Sequence, residues 1–120
     1  SGESMLEVAR ELKKRGAKHI IANATFPLFT SGLKKFDEAV EEGVLTAVLG
    51  TNLTYRKPDL LERDWYFDVD CSKYCAYFVA AIKEGKAKIA EKNLFRTLCP
   101  KIIADVVEIL EKVIAENSEE

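Results

Sequence analysis

Apolar residues recur at helical spacing near the start of the chain. The apolar positions of this stretch follow one another at i, i+3, i+4 and i+7: Met5, Val8, Ala9 and Leu12. Ser4 and Glu7 frame the start of the pattern as a capping box, in which each side chain bonds the backbone N–H group of the other residue. Gly16 supplies a stop signal. The pattern therefore predicts a first helix over residues 5–15.

Three short and almost continuously apolar runs predict strands, because strands buried in a parallel sheet carry few polar residues. These runs cover residues 19–25, 45–50 and 66–69. Helical patterns cover residues 32–42 and 71–84, and a short helical turn is predicted at Pro58. Asp70 is the predicted N-cap of the helix at 71–84, and Gly85 is its predicted stop. Strands that alternate with helices through short loops predict an α/β fold, a three-layer unit with a parallel sheet between helices.

The pattern weakens after residue 85. Residues 86–97 predict a short helix or an irregular connection, and a final helix is predicted from Pro100 onward. That helix carries a wide apolar stripe: Ile102, Ile103, Val106, Ile109, Leu110, Val113 and Ile114. We therefore divide the chain into an α/β piece, 1–85, and a helical C-terminal extension, 86–120, that belongs to the same domain or makes an oligomer contact. Because the stripe is wider than a three-stranded sheet needs, we expect a homo-oligomer.

Composition is that of an ordinary globular domain, and it excludes some functions. Of the 120 residues, 48% are apolar and 32% are charged, and the formal net charge is −2. The sequence has no basic stripe with interleaved aromatic residues, so nucleic acid is not an expected partner. No uncharged apolar run approaches the roughly 20 residues that a membrane-spanning helix needs, so a membrane is not expected either.

The cysteines predict neither a disulfide framework nor a metal site. Cys71 and Cys75 lie four apart on a predicted helix, with their Cβ atoms about 5–6 Å apart, which is too far for an unstrained disulfide. Together with Cys99 they make an odd count, which is typical of a reducing compartment and predicts a cytoplasmic location. We interpret them as buried small residues. His19, the only histidine, is distant in sequence and is interpreted as a surface residue.

Two loops rich in small residues lead into predicted helices, "SGES" at 1–4 and "TFPLFTSG" at 25–32. Ligands of open α/β sheets bind at the carboxyl ends of the strands, where such a loop offers backbone N–H groups to an anion. Ordinary helix capping explains either loop as well, so both alternatives stay open. For the second loop we favour capping by residues 30–32, with the apolar exit at 26–29 packed beneath the strand end.

Single side chains near these loops receive structural interpretations. Arg56 and Lys57 are the best-placed cations near a possible anion site, although a solvated loop explains them more simply. Asp68 and Asp70 lie on one face of a strand by alternation, and we interpret Asp70 as a helix cap rather than an acid catalyst. Trp65 is interpreted as a core or interface residue.

Longer stretches resemble the C-terminal domain of ribose-phosphate pyrophosphokinases, over about residues 1–82 of this chain. The most specific blocks are "ATFPLFTSGLKKFDEA" at 24–39, "TNLTYR" at 51–56 and "DCSKY" at 70–74. The resemblance implies a type I phosphoribosyltransferase fold, of which this chain would be a half-domain. It also implies Mg²⁺-dependent transfer of the ATP diphosphoryl group to C1 of ribose 5-phosphate. The residues that match the family's ribose-phosphate loop, and are thereby expected to hold the 5-phosphate, are Ser1, Gly2, Glu3 and Ser4.

The same resemblance implies what the chain does not carry. The family's acidic pair for the ribose hydroxyls and metal, its ATP-binding half and its basic catalytic loop have no counterpart in this sequence. Glu3 stands where many members have glycine, and Phe26 where many have histidine. We assign no catalytic residue and expect no Mg²⁺ to be held by this chain alone, so ATP and ribose 5-phosphate are partners of the full-length parent. The alternatives are a non-catalytic α/β assembly or binding module, or a scaffold engineered from this family.

We predict that the isolated chain makes no phosphoribosyl diphosphate from ATP, Mg²⁺ and ribose 5-phosphate, because the family's ATP-binding and metal-binding groups are not matched here. The material to assay is purified chain whose start at Ser1 has been verified by mass spectrometry. Turnover above that of a protein-free blank contradicts the prediction.

Overall fold

The structure of the chain is a computed structural model, which describes residues 2–83 and 94–117. Its elements follow in the order α1 (Glu3–Lys14), β1 (Ile21–Ala24), α2 (Lys34–Glu41), β2 (Ala47–Thr51), α3 (Pro58–Leu61), β3 (Tyr66–Val69), α4 (Ser72–Lys83) and α5 (Leu94–Asn117). This alternation confirms the predicted α/β class. The chain divides into two compact units, Ser1–Asp68 and Val69–Glu120. The boundary predicted after residue 85 lies outside the described residues and stays a prediction.

The three strands form one parallel sheet, as predicted, and the structure places them in the order β1-β2-β3. Between the first two strands the register pairs Ile21 with Ala47 and Ala24 with Gly50. All five residues of β2 are buried, which explains why the central strand is continuously apolar in the sequence. The N–H group of Val48 donates to the carbonyl of residue 65, 2.8 Å away, just before β3 begins.

The core of the first unit joins α1 and α2 to the sheet. Its buried members are Leu6, Ala9, Ile20, Phe36, Ala39, Leu45, Val48, Leu60, Trp65 and Tyr66. The stripe predicted for α1 is partly wrong, since Val8 and Leu12 are exposed whereas Leu6 is buried. Apolar residues occupy more than one face of this helix, so that helical spacing alone fits two orientations. His19 is exposed and Trp65 is buried, as interpreted from the sequence.

The predicted capping box is wrong. Helix α1 begins at Glu3, its N-cap is Gly2, and no side chain caps its first turn. Gly2 adopts a left-handed conformation with φ 77°, and its carbonyl accepts a hydrogen bond from the N–H group of Leu6 at 3.1 Å. This bond starts the helix before Ser4, which therefore lies inside the first turn instead of capping it. Gly16 lies just after the end of the helix in a left-handed conformation with φ 92°, which confirms the predicted stop signal.

The capping predicted for residues 30–32 is also wrong. Helix α2 begins at Lys34, its N-cap is Leu33, and no side chain caps it. The N–H group of Gly32 donates to the carbonyl of Phe29 at 2.9 Å, so that the hydroxyl-bearing residues close a separate turn before the helix. Among the described residues, two helices follow β3.

Helices α4 and α5 belong to the second unit. The carboxylate of Asp70 accepts a hydrogen bond from the N–H group of Ser72 at 2.9 Å, which confirms its capping role. Cys71 is buried, but Cys75 is exposed, against the prediction. Exposed apolar residues such as Val79 show that α4 is apolar on several sides, so its spacing could not single out one face. The predicted stop at Gly85 lies outside the described residues.

The prediction that the last helix begins near Pro100 is wrong. Helix α5 begins at Leu94 and contains Pro100 in its second turn. Proline removes one hydrogen bond to the carbonyl four residues earlier, which weakens a helix locally without preventing helical structure on both sides. Within the described residues, no helix has the length and apolar character required to cross a membrane.

Candidate functional site

The carboxyl ends of β1 and β2 meet at one edge of the sheet, where ligands of open α/β sheets bind. Residues 25–33 follow β1 and residues 52–57 follow β2. Two clefts open on these loops, and both lie within the first unit. This edge is the candidate functional site.

The first cleft, here called the apolar cleft, has a volume of about 160 Å³. Its lining residues are Gly2, Met5, Ala24, Phe26, Pro27, Leu28, Phe29, Phe36 and Val48. A Cβ atom at position 2 would lie 2.5 Å from Cζ of Phe36, closer than any side chain tolerates. The close approach and the left-handed backbone both require glycine at this position.

The residues expected to hold a phosphate lie at the rim of this cleft. Gly2 lines it, Glu3 and Ser4 are exposed in the first turn of α1, and Ser1 lies outside the described residues. The ammonium of Lys35 donates a hydrogen bond to the Glu3 carboxylate. That hydrogen bond, followed by the positive charge of Lys35, lowers the pKa of Glu3 below its ordinary value. The acidic residue at the helix start is therefore matched by a neighbouring cation.

The apolar segment that follows β1, residues 26–29, packs beneath the strand end only in part. Pro27 is buried and Phe29 is half-buried, whereas Phe26 and Leu28 are 59% and 66% exposed. The prediction is therefore wrong for two of the four residues. The N–H group of Leu28 donates to the carbonyl of Phe26 at 2.9 Å, so the chain turns tightly at Pro27 and leaves the side chains on either side of it in solvent. Phe29 has φ 45°, a left-handed conformation that is uncommon for an aromatic residue and turns the chain toward α2.

The second cleft, here called the basic cleft, has a volume of about 380 Å³ and lies between the loop after β1 and the segment from Tyr55 to Arg63. The charged residues of its lining are the cations Lys34, Arg56, Lys57 and Arg63 and the carboxylates Asp37 and Asp59. Lys57 is exposed, as a solvated loop requires, but the side chain of Arg56 is only 20% exposed. The solvated interpretation is therefore wrong for Arg56.

Asp37 is a residue that the sequence interpretation did not single out. Its carboxylate accepts hydrogen bonds from Nε and Nη2 of Arg63, at 2.9 and 3.1 Å, and from Nε1 of Trp65 at 2.8 Å. The bond from Arg63 is the main reason that the pKa of Asp37 lies below its ordinary value, with the bond from Trp65 adding to it. The partners are 26 and 28 residues away, so no local motif could have indicated this contact.

Arg56 is balanced in charge but incompletely hydrogen-bonded. Its Nε atom lies 3.1 Å from Oδ1 of Asp68, which is an ion-pair distance. The contact does not have hydrogen-bond geometry, however, and this buried atom has no hydrogen-bond partner among the described residues. The hydroxyl of Tyr66 donates to the same carboxylate at 3.4 Å. Burial, reinforced by the Asp68 charge, raises the pKa of Tyr66 to about 12.

Metal ligands are not grouped in the parts of the chain that the structure describes, where no set of three histidine, cysteine, aspartate or glutamate residues could hold an ion. The carboxylate of Asp37 in the basic cleft is already bound by Arg63 and Trp65. The Asp37 carboxylate is therefore engaged by protein donors.

Comparison of the chain with protein-family models, with curated proteins and with solved structures gave no match. The resemblance to ribose-phosphate pyrophosphokinases therefore stays a prediction from the sequence.

We expect Asp37→Asn to lower the free energy of unfolding by roughly 1–2 kcal/mol near neutral pH, because it removes the charge that holds Arg63. The lowered pKa of Asp37 means that the native state binds its proton less readily than the unfolded chain does. Its contribution is complete above the ordinary value of 3.8 and is lost as the pH falls through the native pKa. Urea unfolding of both proteins should therefore show a difference that shrinks on acidification. Glu41→Gln, an exposed change on α2, is the control. A difference that does not change with pH would sink the prediction.

Proposed function

We propose that this chain is part of a ribose-phosphate diphosphokinase and that the start of α1 binds the phosphate of ribose 5-phosphate. The observation that carries the proposal is Gly2, which begins α1 in a left-handed conformation beside the apolar cleft without any side-chain cap. The resemblance to the ribose-phosphate loop at residues 1–4 supports the same assignment.

The physical argument concerns the first N–H groups of the helix. The N-terminal N–H groups of a helix have no acceptor within the helix, and together with the helix dipole they attract an anion. In α1 no side chain supplies that acceptor, so a phosphate oxygen could do so. Glu3 would oppose an anion, but its carboxylate is bound by Lys35, which reduces the opposition.

Under this proposal the described residues bind and position the sugar phosphate and perform no step of the transfer. In the complete enzyme, Mg²⁺ would stabilise the charge that develops on the transferred diphosphoryl group. Holding one reactant in place still contributes to the rate, because it removes the entropic cost of bringing the reactants together. The role of Gly2 would be to let the backbone approach the phosphate closely.

Titration of ¹⁵N-labelled chain with ribose 5-phosphate tests the proposal. We expect saturable shifts of the amide signals of Gly2, Glu3 and Met5, with a dissociation constant on the order of 1 mM, and no such shifts with ribose. Gly2→Ala should abolish them, because its φ of 77° and its contact with Phe36 both disfavour a side chain. Gly16→Ala is a matched control at the other end of α1, with φ 92° and no neighbouring atom within 4 Å. Equal binding by both variants, or no binding by the parent chain, would overturn the proposal.

A second candidate function, a non-catalytic assembly module, is favoured by the surface of α5. Ile103, Val107 and Ile114 are 62%, 43% and 45% exposed. Their spacing of four and seven residues places them on one side of the helix, separate from the side that carries the buried Val113. A stripe of exposed aliphatic residues of this kind is typical of a surface that a second chain covers. We therefore propose that this stripe contributes to a homo-oligomer.

Ile103→Glu should dissociate such an oligomer into folded monomers, because it places a charge on the stripe at an exposed position. Ala115→Glu adds the same charge at an exposed position about a third of a turn away and is the control. Mass in solution by light scattering and the melting temperature of each variant are the measurements. If the parent chain and both variants have the same mass, α5 is not an interface.

A further inference from the structure

The exposed aliphatic stripe of α5 has the spacing of a coiled-coil seam. Ile103, Val107 and Ile114 are exposed, and Leu110, which is half-buried, lies between the last two. The four residues follow one another at intervals of four, three and four, the alternation that brings apolar side chains into one line when two helices pair along their length. The stripe therefore fits a second helix that carries the same spacing.

The side of α5 that packs on its own unit lies away from this stripe. The carboxylate of Asp105 accepts a hydrogen bond from the hydroxyl of Tyr74 at 2.7 Å and lies 2.9 Å from Nζ of Lys73, and both partners are on α4. Asp105 is two residues from Ile103 and from Val107, which at 3.6 residues per turn places it on roughly the opposite side of the helix. Packing on α4 therefore leaves the stripe at the surface.

The charges of α5 are distributed unevenly along its length. Residues 94–105 contain two exposed cations, Arg96 and Lys101, and one carboxylate, Asp105, which is already bonded to α4. Residues 106–117 contain three exposed carboxylates and a single cation, which pairs with the first of them: Glu108, Glu111, Glu116 and Lys112. Two such helices that run in opposite directions bring the basic half of each beside the acidic half of the other, and their dipoles also attract. Parallel helices would place like charges together.

We propose that two copies of the chain pair through the α5 stripe with their helices antiparallel, about a twofold axis between Val107 and Leu110. In this register Ile103 of each copy faces Ile114 of the other, and Val107 faces Leu110. The contact is self-complementary, so it closes with two copies. The inference rests on the assembly function proposed above, to which it adds the partner surface, the direction and the register.

Ile103→Glu and Ile114→Lys place opposite charges at facing positions of the proposed pair, and sedimentation of the full chain across a range of concentrations is the measurement. Each variant alone should weaken the dimer at least roughly tenfold, because it sets a charge against an aliphatic side chain. An equimolar mixture of the two should recover the dimer to within roughly threefold of the parent dissociation constant, because Glu then faces Lys.

The matched control is a mixture of Ile103→Glu with Val107→Lys, which is also exposed on the stripe. In the proposed register, position 107 lies seven residues along the facing helix from the point opposite position 103, about 10 Å away, so this mixture should stay monomeric. In a parallel pair position 107 would be the nearer one, and the control mixture would recover instead. If a variant fails to fold by circular dichroism, the swapped pair Ile103→Lys and Ile114→Glu should give the same recovery.

The outcomes separate the pairing from the assembly function on which it rests. A parent chain that is monomeric at every concentration overturns both, and so do single variants that dimerise as well as the parent. A parent that dimerises, with single variants that do not, supports the stripe as the interface. If the mixture of Ile103→Glu and Ile114→Lys then stays monomeric, or recovers no better than the control mixture, the interface stands and the antiparallel register is overturned.

Discussion

The carboxylate of Asp37 joins parts of the first unit that are far apart in sequence. It accepts hydrogen bonds from the guanidinium of Arg63 and from the indole of Trp65. A buried indole N–H group without an acceptor would cost free energy comparable to a lost hydrogen bond. Because the carbonyl of Trp65 also accepts from the N–H group of Val48, the contact with Asp37 fixes the point at which the third strand joins the second.

Each cleft includes residues that are linked to that contact. The ring of Trp65 stacks on Phe36, with centroids 5.9 Å apart and planes 18° from parallel, and Phe36 lies against Gly2. The position of the helix start is thus coupled through two rings to Asp37. In the basic cleft, Asp37 pairs with Arg63 and so offsets the charge of one of the lining cations.

The sequence predicted the elements that burial specifies and missed those that depend on distant or single-residue geometry. Strand β2 was predicted to within two residues at either end, because burial on both faces leaves a continuous apolar run. The helix starts were misplaced, since Gly2 supplies a left-handed turn where Ser4 offered an equally good capping pattern. Asp37 had no local signal at all, because its partners lie 26 and 28 residues away.

The two clefts also explain why a candidate site can be predictable at one place and hidden at another. In the apolar cleft the donors are backbone N–H groups, so the requirement on the sequence is a residue that permits φ 77°, and a glycine before a helix indicates it. In the basic cleft the donors are side chains from separate segments, such as Lys34 and Arg56, which line the same cleft only in the folded chain. Such a site leaves no motif in the sequence. What does show in the folded chain is a half-buried arginine, Arg56, whose Nε atom lies 3.1 Å from the carboxylate of Asp68.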